Sequence, residues 1–263
     1  MGVVNVTPDS FSDGGLYRDP ARAAAHARRL ADEGADLLDI GGESSRPGAQ
    51  GVSADEELAR VLPVLRELRD ARVPVAVDTM KPDVMRAALA EGAAMINDIN
   101  ALRAPGAMEA VAASDAGVCL MHMRGEPRTM QENPGYGDVV AEVGAFLSER
   151  AAAAQAAGIA RARIVIDPGF GFGKTPAHNL ELLRRLRELA GLGYPLLAGL
   201  SRKSTLGGIT GRPPAERAAA SVAAALLAVE GGARIVRVHD VAATKDALAV
   251  WSAVHAGASG HGT

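Results

Sequence analysis

Ile164-Val165-Ile166-Asp167-Pro168-Gly169-Phe170-Gly171-Phe172-Gly173-Lys174-Thr175 is the stretch that decides how this chain folds. Three β-branched residues end on an acid, a glycine-rich loop follows, and Leu182, Leu183 and Leu186 then recur at helical spacing. A short, wholly apolar run of this kind is the signature of a parallel strand buried on both faces. Seven further runs repeat the unit: Gly2–Val6, Leu37–Ile40, Val75–Val77, Met95–Ile96, Val118–Met121, Leu196–Ala198 and Ile235–Val238. Each gives way to polar residues: Asn5 to Ser12, Asp39 with Gly41 to Arg46, Asp78, Asn97 with Asp98, His122, Ser201 to Lys203, and Arg237 to Asp240. Eight strand-then-helix units in 263 residues match an α/β fold, the TIM (β/α)8 barrel, as a single domain. That domain is expected over residues 1–256, with the small polar segment 257–263 as a disordered tail. In such a barrel every strand end opens on one mouth, so the polar clusters converge. An open doubly wound sheet would instead gather its functional loops at one switch point. Polar clusters after every strand favour the barrel.

Helix signals support the unit count. Asp19-Pro20 reads as a cap with proline at the first helical position, and Gly34 closes that helix. Ser53 and Glu56 form an expected capping box ahead of Leu58, Val61, Leu62, Leu65 and Leu68, with Pro74 as the stop. Later helices are expected around Val140, Val143 and Leu147, around Leu182, Leu183 and Leu186, over Val222 to Val229, and at Leu248 with Trp251.

Composition narrows the function. A net charge of −3 gives no broad field for polyanions, and 3% aromatic content offers no stacking platform for nucleic acid. Any anionic ligand must be held by local charges. The only cysteine, Cys119, lies in an apolar run, which fits core packing in a reducing, cytoplasmic compartment. No run approaches the ~18 apolar residues of a membrane span, and no leader pattern precedes the first strand.

Asp78, Asn97 and Asp167 end three different strands. Two acids and an amide suit a ligand edge rich in N–H donors, such as the amino-amidine edge of a pterin or guanine-like ring. Each Asp by itself also suits a helix cap; three together point to a pocket. Arg46, Lys203, Arg237 and His239 supply the cations a phosphate or diphosphate needs. Arg202 and Asp240 read as ion-pair residues, Asp240 standing where the last helix begins. His122 and His178 lack metal-site spacing, and His122 reads as a pocket-lining or core residue. Gly169 to Thr175 imitates a phosphate-binding P-loop, but position 168 is proline where that motif requires glycine, and two phenylalanines suit a flat organic ligand better. The glycine-bearing stretches 5–15 and 41–48 suit lids or passive connections.

Together the stretches Asn5-Val6-Thr7-Pro8-Asp9-Ser10-Phe11-Ser12-Asp13-Gly14-Gly15, Gly41-Gly42-Glu43-Ser44-Ser45-Arg46-Pro47-Gly48, Asp167 to Lys174, Ser201-Arg202-Lys203 and Arg237-Val238-His239-Asp240 resemble the dihydropteroate synthases. The resemblance runs from Gly2 to about Trp251. It implies a TIM barrel that condenses 6-hydroxymethyl-7,8-dihydropterin diphosphate with para-aminobenzoate in folate biosynthesis, with release of pyrophosphate. It further implies that Asp78, Asn97, Asp167 and Lys203 hold the pterin, with Asp39 and Met121 beside it. Asn5 would help place Mg2+ on the diphosphate, whose oxygens Arg46, Arg237 and His239 would bind. Phe11, Ser45, Pro47, Phe172 and Ser201 would border the aminobenzoate, where sulfonamides compete in that family. A homodimer through outer helices is the family-like expectation. Two departures stand out: position 45 is Ser where many members have Thr, and the chain starts on its first strand where members usually have a preceding segment. The first keeps the hydroxyl; the second implies weaker stability or an incomplete start more than lost chemistry. Two rival readings share the pterin acids. A corrinoid-linked methyltransferase has no use for the Ser-Arg-Lys and Arg-Val-His-Asp groups, and a non-catalytic pterin-binding paralogue should lack a leaving-group residue, whereas none is missing.

Overall fold

Eight strands form from the described residues of the computed structural model, which are 1–7, 20–44 and 48–256. They are β1 (Gly2–Asn5), β2 (Leu38–Gly41), β3 (Val75–Asp78), β4 (Met95–Asp98), β5 (Gly117–Met121), β6 (Ile164–Asp167), β7 (Leu197–Ala198) and β8 (Ile235–Val236). Around them lie α1 (Pro20–Asp32), α2 (Ala54–Glu67), α3 (Pro82–Ala90), α4 (Ala107–Ala112), α5 (Val139–Ala156), α6 (Pro176–Arg184), α7 (Leu186–Ala190), α8 (Ser204–Thr210), α9 (Ala218–Glu230) and α10 (Val241–Ala256). β1 to β6 pair in sequence order, β7 pairs with β8, and every pairing is parallel. Two single parallel bridges close the ring: Ile166 to Leu196 just before β7, and Gly2 to Val238 just after β8. The Val3 N–H donates to the Val238 carbonyl at 3.0 Å, and the Ile166 N–H to the Pro195 carbonyl at 3.0 Å. The expected barrel is present.

Alternation along the strands decides which residues reach its interior. One phase, including Val4, Ile40, Val77, Ile96, Leu120, Ile166, Ala198 and Val236, packs into the apolar layer between ring and helices. The other phase faces inward. At the floor it supplies Met1, Ala76, Met95, Cys119 and Leu197, with Leu37, Val165 and Ile235 packed against them. Two residues further along those strands stand Val3, Asp39, Asp78, Asn97, Met121, Asp167, Gly199 and Arg237. Floor and mouth are therefore successive layers of one inward register.

The local signals were partly right. α1 starts at Pro20 and ends before Gly34, while Asp19 lies outside the described residues. Ser53 Oγ accepts from the Glu56 N–H at 3.1 Å, but the Glu56 carboxylate pairs with Arg60, so only half the expected box forms. Pro74 does not stop α2, which ends at Glu67; instead the Pro74 carbonyl accepts from the Leu38 N–H at 3.1 Å and leads into β3. The expected helix through Leu186 is two helices, broken at Arg185. The tail 257–263 lies outside the described residues.

Asp98 is out of phase with Asn97 and points away from the mouth. Its Oδ1 accepts from the Asn100 N–H and its Oδ2 from the Leu102 N–H, both at 2.7 Å. Those bonds hold Ala101 and Leu102 at φ of 52° and 56°, a left-handed conformation that non-glycine residues rarely adopt. Arg150 on α5 fastens the same turn from outside through the Ala101 and Leu102 carbonyls. Burial pushes the Asp98 carboxyl up to about 6, with the two N–H donors opposing the shift. Asp98→Ala strands one buried and one part-buried N–H group on a strained turn and is expected to cost about 2–4 kcal/mol in urea unfolding. A loss below 1 kcal/mol would show that the turn holds without the carboxylate.

Candidate functional site

Arg237, two residues beyond the inward floor residue Ile235, lies across the mouth and gathers the acids of two strands. Its Nε donates to Asp39 Oδ2 at 2.6 Å and its Nη2 to Asp78 Oδ2 at 3.0 Å. Asn97 Nδ2 donates to the same Asp39 oxygen at 3.1 Å. One guanidinium and one amide thus lock β2, β3, β4 and β8 together by side chains. Asp39 is wholly buried, and its Oδ1 has no hydrogen-bond partner. Burial pushes Asp78 up to about 7, with Arg237 opposing and Asp39 adding to the shift. For Arg237, burial works against the charge, but the nearby Asp39 and Asp78 outweigh it and hold the guanidinium firmly protonated.

Asp167 and Lys203 form the adjoining group. Asp167 Oδ1 accepts from the Gly169 N–H at 2.7 Å. Lys203 Nζ donates to the Phe170 carbonyl and stands 4.8 Å from the centre of the Phe172 ring. Burial raises Asp167 while Lys203 opposes it; burial lowers Lys203 to about 8 while Asp167 opposes it. Each charge limits the desolvation penalty of the other. Ser201 Oγ lies 3.0 Å from His239 Nδ1 and accepts from the His239 N–H at 3.2 Å.

Met121 and Phe172 meet in an apolar wall made with Ile99, Met123 and Met130, against which Met80 packs. Beside it a cleft of about 240 Å³ is lined by Asp78, Thr79, Met80, Ile99, Glu43 and Ser44. Asn5 shares a separate cavity with Arg202 and His239. Among the described residues, no three His, Cys, Asp or Glu side chains gather as a metal cage. A lone amide oxygen in that cavity is compatible with a Mg2+ that would arrive on a ligand's phosphate oxygens and keep most of its waters.

The structure thus unites Asp39, Asp78, Asn97 and Arg237, joins Asp167, Lys203 and Phe172, and pairs Ser201 with His239. Phe11, Ser45, Arg46 and Pro47 lie outside the described residues. Arg202 and Asp240 form an ion pair with each other, at 2.6 and 3.1 Å. His178 completes a capping box with Thr175 at the start of α6. His122 is a core residue, edge-on to Phe146 at 4.9 Å, and burial lowers it to about 3. Met80, Ile99, Met123 and Met130 went unmarked in the sequence; the first three follow closely on a strand end, which is the signal that would have found them, while Met130 lies well beyond β5 and carries no such signal.

The pattern described as "Pterin binding enzyme" matches residues 1–239. A curated dihydropteroate synthase of Neisseria meningitidis serogroup B is 57% identical, over 97% of this chain and 92% of that protein. The chain belongs to the dihydropteroate synthase family. That makes it a transferase of the pterin-binding enzymes. Among solved structures, Xanthomonas albilineans dihydropteroate synthase with 4-aminobenzoic acid superposes at a TM-score of 0.92, with 59% identity, over 97% of this chain and 92% of that one. The same organism's enzyme in complex with 7,8-dihydropteroate gives 0.88 at 56% identity, over 97% and 93%.

For a dihydropteroate synthase, Arg237 has a structural duty beside any ligand. Removing it leaves Asp39 and Asp78 facing each other unpaired. Arg237→Ala is therefore expected to lose about 3–5 kcal/mol of stability at pH 8. The loss should shrink towards pH 5. Without the guanidinium Asp78 titrates above its present value of about 7, so from the ordinary carboxylate range up to that pKa the native chain holds a proton the unfolded chain has lost. Stability then falls as pH rises through that window. Chemical denaturation at the two pH values checks this, and equal losses would contradict the pairing.

Proposed function

We propose that the two charged groups of the mouth divide the family reaction between them. Asp167 and Asn97 accept and orient the amino-amidine edge of the pterin, Lys203 and Met121 bracket its ring, and Arg237 with His239 receives the diphosphate. Phe172 and Ser201 border the para-aminobenzoate, and the family resemblance adds Phe11, Ser45 and Pro47 to its side and Arg46 to the diphosphate's. The observation that carries this reading is Arg237 bonded to both Asp39 and Asp78 on the mouth that also holds Asp167 and Lys203.

The chemistry follows from that placement. The arylamine lone pair forms a C–N bond to the exocyclic methylene of the pterin, the C–O bond to the diphosphate breaks with its electron pair, and the nitrogen then loses a proton to water. As the leaving group departs, positive charge spreads over the pterin, where Asp167 and Asp78 already lie oriented to stabilise it. Negative charge collects on the diphosphate, beside Arg237 and His239. Mg2+, when bound through Asn5 and the phosphate oxygens, supplies further neutralisation of the leaving group. The amine is a weak nucleophile, so holding it in line contributes several kcal/mol, on the order seen for well-oriented reactants. No covalent attachment to the protein is needed.

Asp78 gives the reaction a pH signature. Above about 7 its carboxylate is charged and stabilises the cation; below, protonation removes that help, so kcat/KM falls as pH drops. Burial of Cys119 as a thiol and the absence, among the described residues, of a helix long and apolar enough to cross a membrane support a cytoplasmic enzyme. Purified protein with Mg2+, the pterin diphosphate and para-aminobenzoate should release pyrophosphate, and a chelator should suppress it. In Asp78→Asn the acidic limb near pH 7 should vanish. Saturable pterin binding without pyrophosphate release would favour a non-catalytic protein.

A homodimer through α9 and α10 accounts for one more feature. α9 is apolar nearly all round, which a surface helix in water is not. Leu227 on α9 is 53% exposed, and Val250 and Val254, one turn apart on α10, are each 67% exposed. Light scattering should give twice the chain mass, and Val250→Glu with Val254→Glu should halve it. An unaltered mass would place the contact elsewhere.

A further inference from the structure

We infer that Lys174 is a positioning residue: its enclosed ammonium fixes the glycine loop that carries Phe172 and so sets the wall against which the aminobenzoate lies. The inference rests on the assignment of Phe172 to that wall. Lys174 is 2% exposed. Its Nζ lies 2.9 Å from His122 Nδ1, 3.0 Å from the Gly169 carbonyl, 3.0 Å from the Phe172 carbonyl and 3.3 Å from the His122 carbonyl. An ammonium has three protons, so these acceptors saturate it and leave nothing for a phosphate. The lysine that imitates a P-loop residue is turned inward, onto its own loop.

The loop needs such a fastening. Gly169 and Gly173 sit at φ of 66° and 62°, and a Cβ on them would come within 1.9 Å of the His122 carbonyl and 2.4 Å of the Arg124 carbonyl. Glycine is required there by the close approach to the segment after β5, yet glycine supplies no preference for this path over others. Bonds from outside must select it. Asn179 Oδ1 accepts from the Gly171 N–H at 2.8 Å, Gln131 Nε2 donates to the Gly171 carbonyl at 2.5 Å, and Tyr136 Oη donates to the Gly173 carbonyl at 2.8 Å. Lys203 holds the Phe170 carbonyl from the mouth side, while Lys174 holds Gly169 and Phe172 from beneath. Phe172 is thereby gripped on both sides. None of Lys174, Gln131 or Tyr136 is among the residues assigned to ligand, so their effect passes through the loop.

None of the four acceptors around Lys174 is a carboxylate. Burial lowers its pKa to about 7, with Asp167 opposing, and the neutral His122 remains an acceptor beside it. A salt bridge would be the less costly way to bury an ammonium. What the neutral cage offers instead is direction, since its acceptors, three backbone oxygens and His122 Nδ1, are fixed in place around the ammonium.

The test is steady-state kinetics with para-aminobenzoate varied, beside equilibrium binding of 6-hydroxymethyl-7,8-dihydropterin. Lys174→Met keeps the chain length and removes the donors. It is expected to raise KM for para-aminobenzoate about tenfold, in keeping with the rate sensitivity to sub-ångström placement, while pterin affinity stays within about threefold. Tyr136→Phe, which removes only the donor to the Gly173 carbonyl and is not expected to disturb folding, should move the same KM in the same direction by about two- to threefold. In Lys174→Ala, added propylamine should restore part of the lost aminobenzoate affinity, a rescue that general destabilisation would not show. Equal losses for both ligands, or no change in either, would overturn the inference. If Lys174→Met fails to fold, an unaltered KM in Tyr136→Phe overturns it alone. Phe172→Ala separates the two layers of the argument. A raised KM there, with Lys174→Met and Tyr136→Phe unchanged, removes only the fastening; an unaltered KM there removes the wall assignment and the fastening with it.

Discussion

Closure of a short parallel sheet into a ring is the constraint on which everything else depends. Once Gly2 meets Val238 and Ile166 meets Leu196, every strand has an inside and an outside, and alternation assigns each residue to one of them. The outside phase is aliphatic because it packs under helices. The inside phase changes character within two residues, from Met95, Cys119 and Val165 at the floor to Asn97, Met121 and Asp167 at the mouth. Slipping one strand by one residue would bury its acid beneath a helix and offer an isoleucine or valine to the ligand. Fold stability and site assembly are therefore the same requirement, imposed on the same few positions.

The mouth concentrates charge at a cost that the ring absorbs. Asp39, Asp78 and Asp167 are all in or near the low-dielectric interior, with Arg237 and Lys203 among them. In water these groups would be worth little to one another; enclosed, Asp78 and Lys203 have pKa values drawn towards neutrality, while Arg237 stays firmly protonated. On the proposed assignment such a lattice is poised, because a cation forming on the pterin or an anion forming on the diphosphate would find its complement already oriented.

Much of this was legible in the chain. Eight apolar runs with polar ends identified the barrel and marked Asp39, Asp78, Asn97, Asp167 and Arg237 as neighbours, because a barrel leaves strand ends nowhere else to go. What the runs left unsorted were the adjacent pairs: Asn97 with Asp98, Met121 with His122, His239 with Asp240. Counting by twos from the floor separates them, sending Asp98 to clamp a turn, His122 under Phe146, and Asp240 to Arg202. Helix ends were less legible, since the Glu56 carboxylate had a choice between its own cap and Arg60, and only packing decides such a contest. Phe11, Ser45, Arg46 and Pro47 stand in stretches of sequence whose glycine and polar content carries no period at all.

Lys174 and Lys203 show why residue type alone does not name a role. Both are buried lysines with pKa values lowered by burial and partly restored by Asp167, and both donate to carbonyls of the same loop. Their difference is topological. Lys203 follows β7 through a turn, with Arg202 left-handed at φ of 58° and the Lys203 N–H donating to the Leu200 carbonyl, and approaches the loop from the mouth, where its charge reaches Asp167, Arg237 and Asp78. Lys174 enters from the helix side, just before α6, where His122 and backbone oxygens enclose it. On the proposed assignment the same ammonium serves the ligand in one place and the loop in the other. What separates them is which side of the closed sheet the chain occupies when it reaches each lysine.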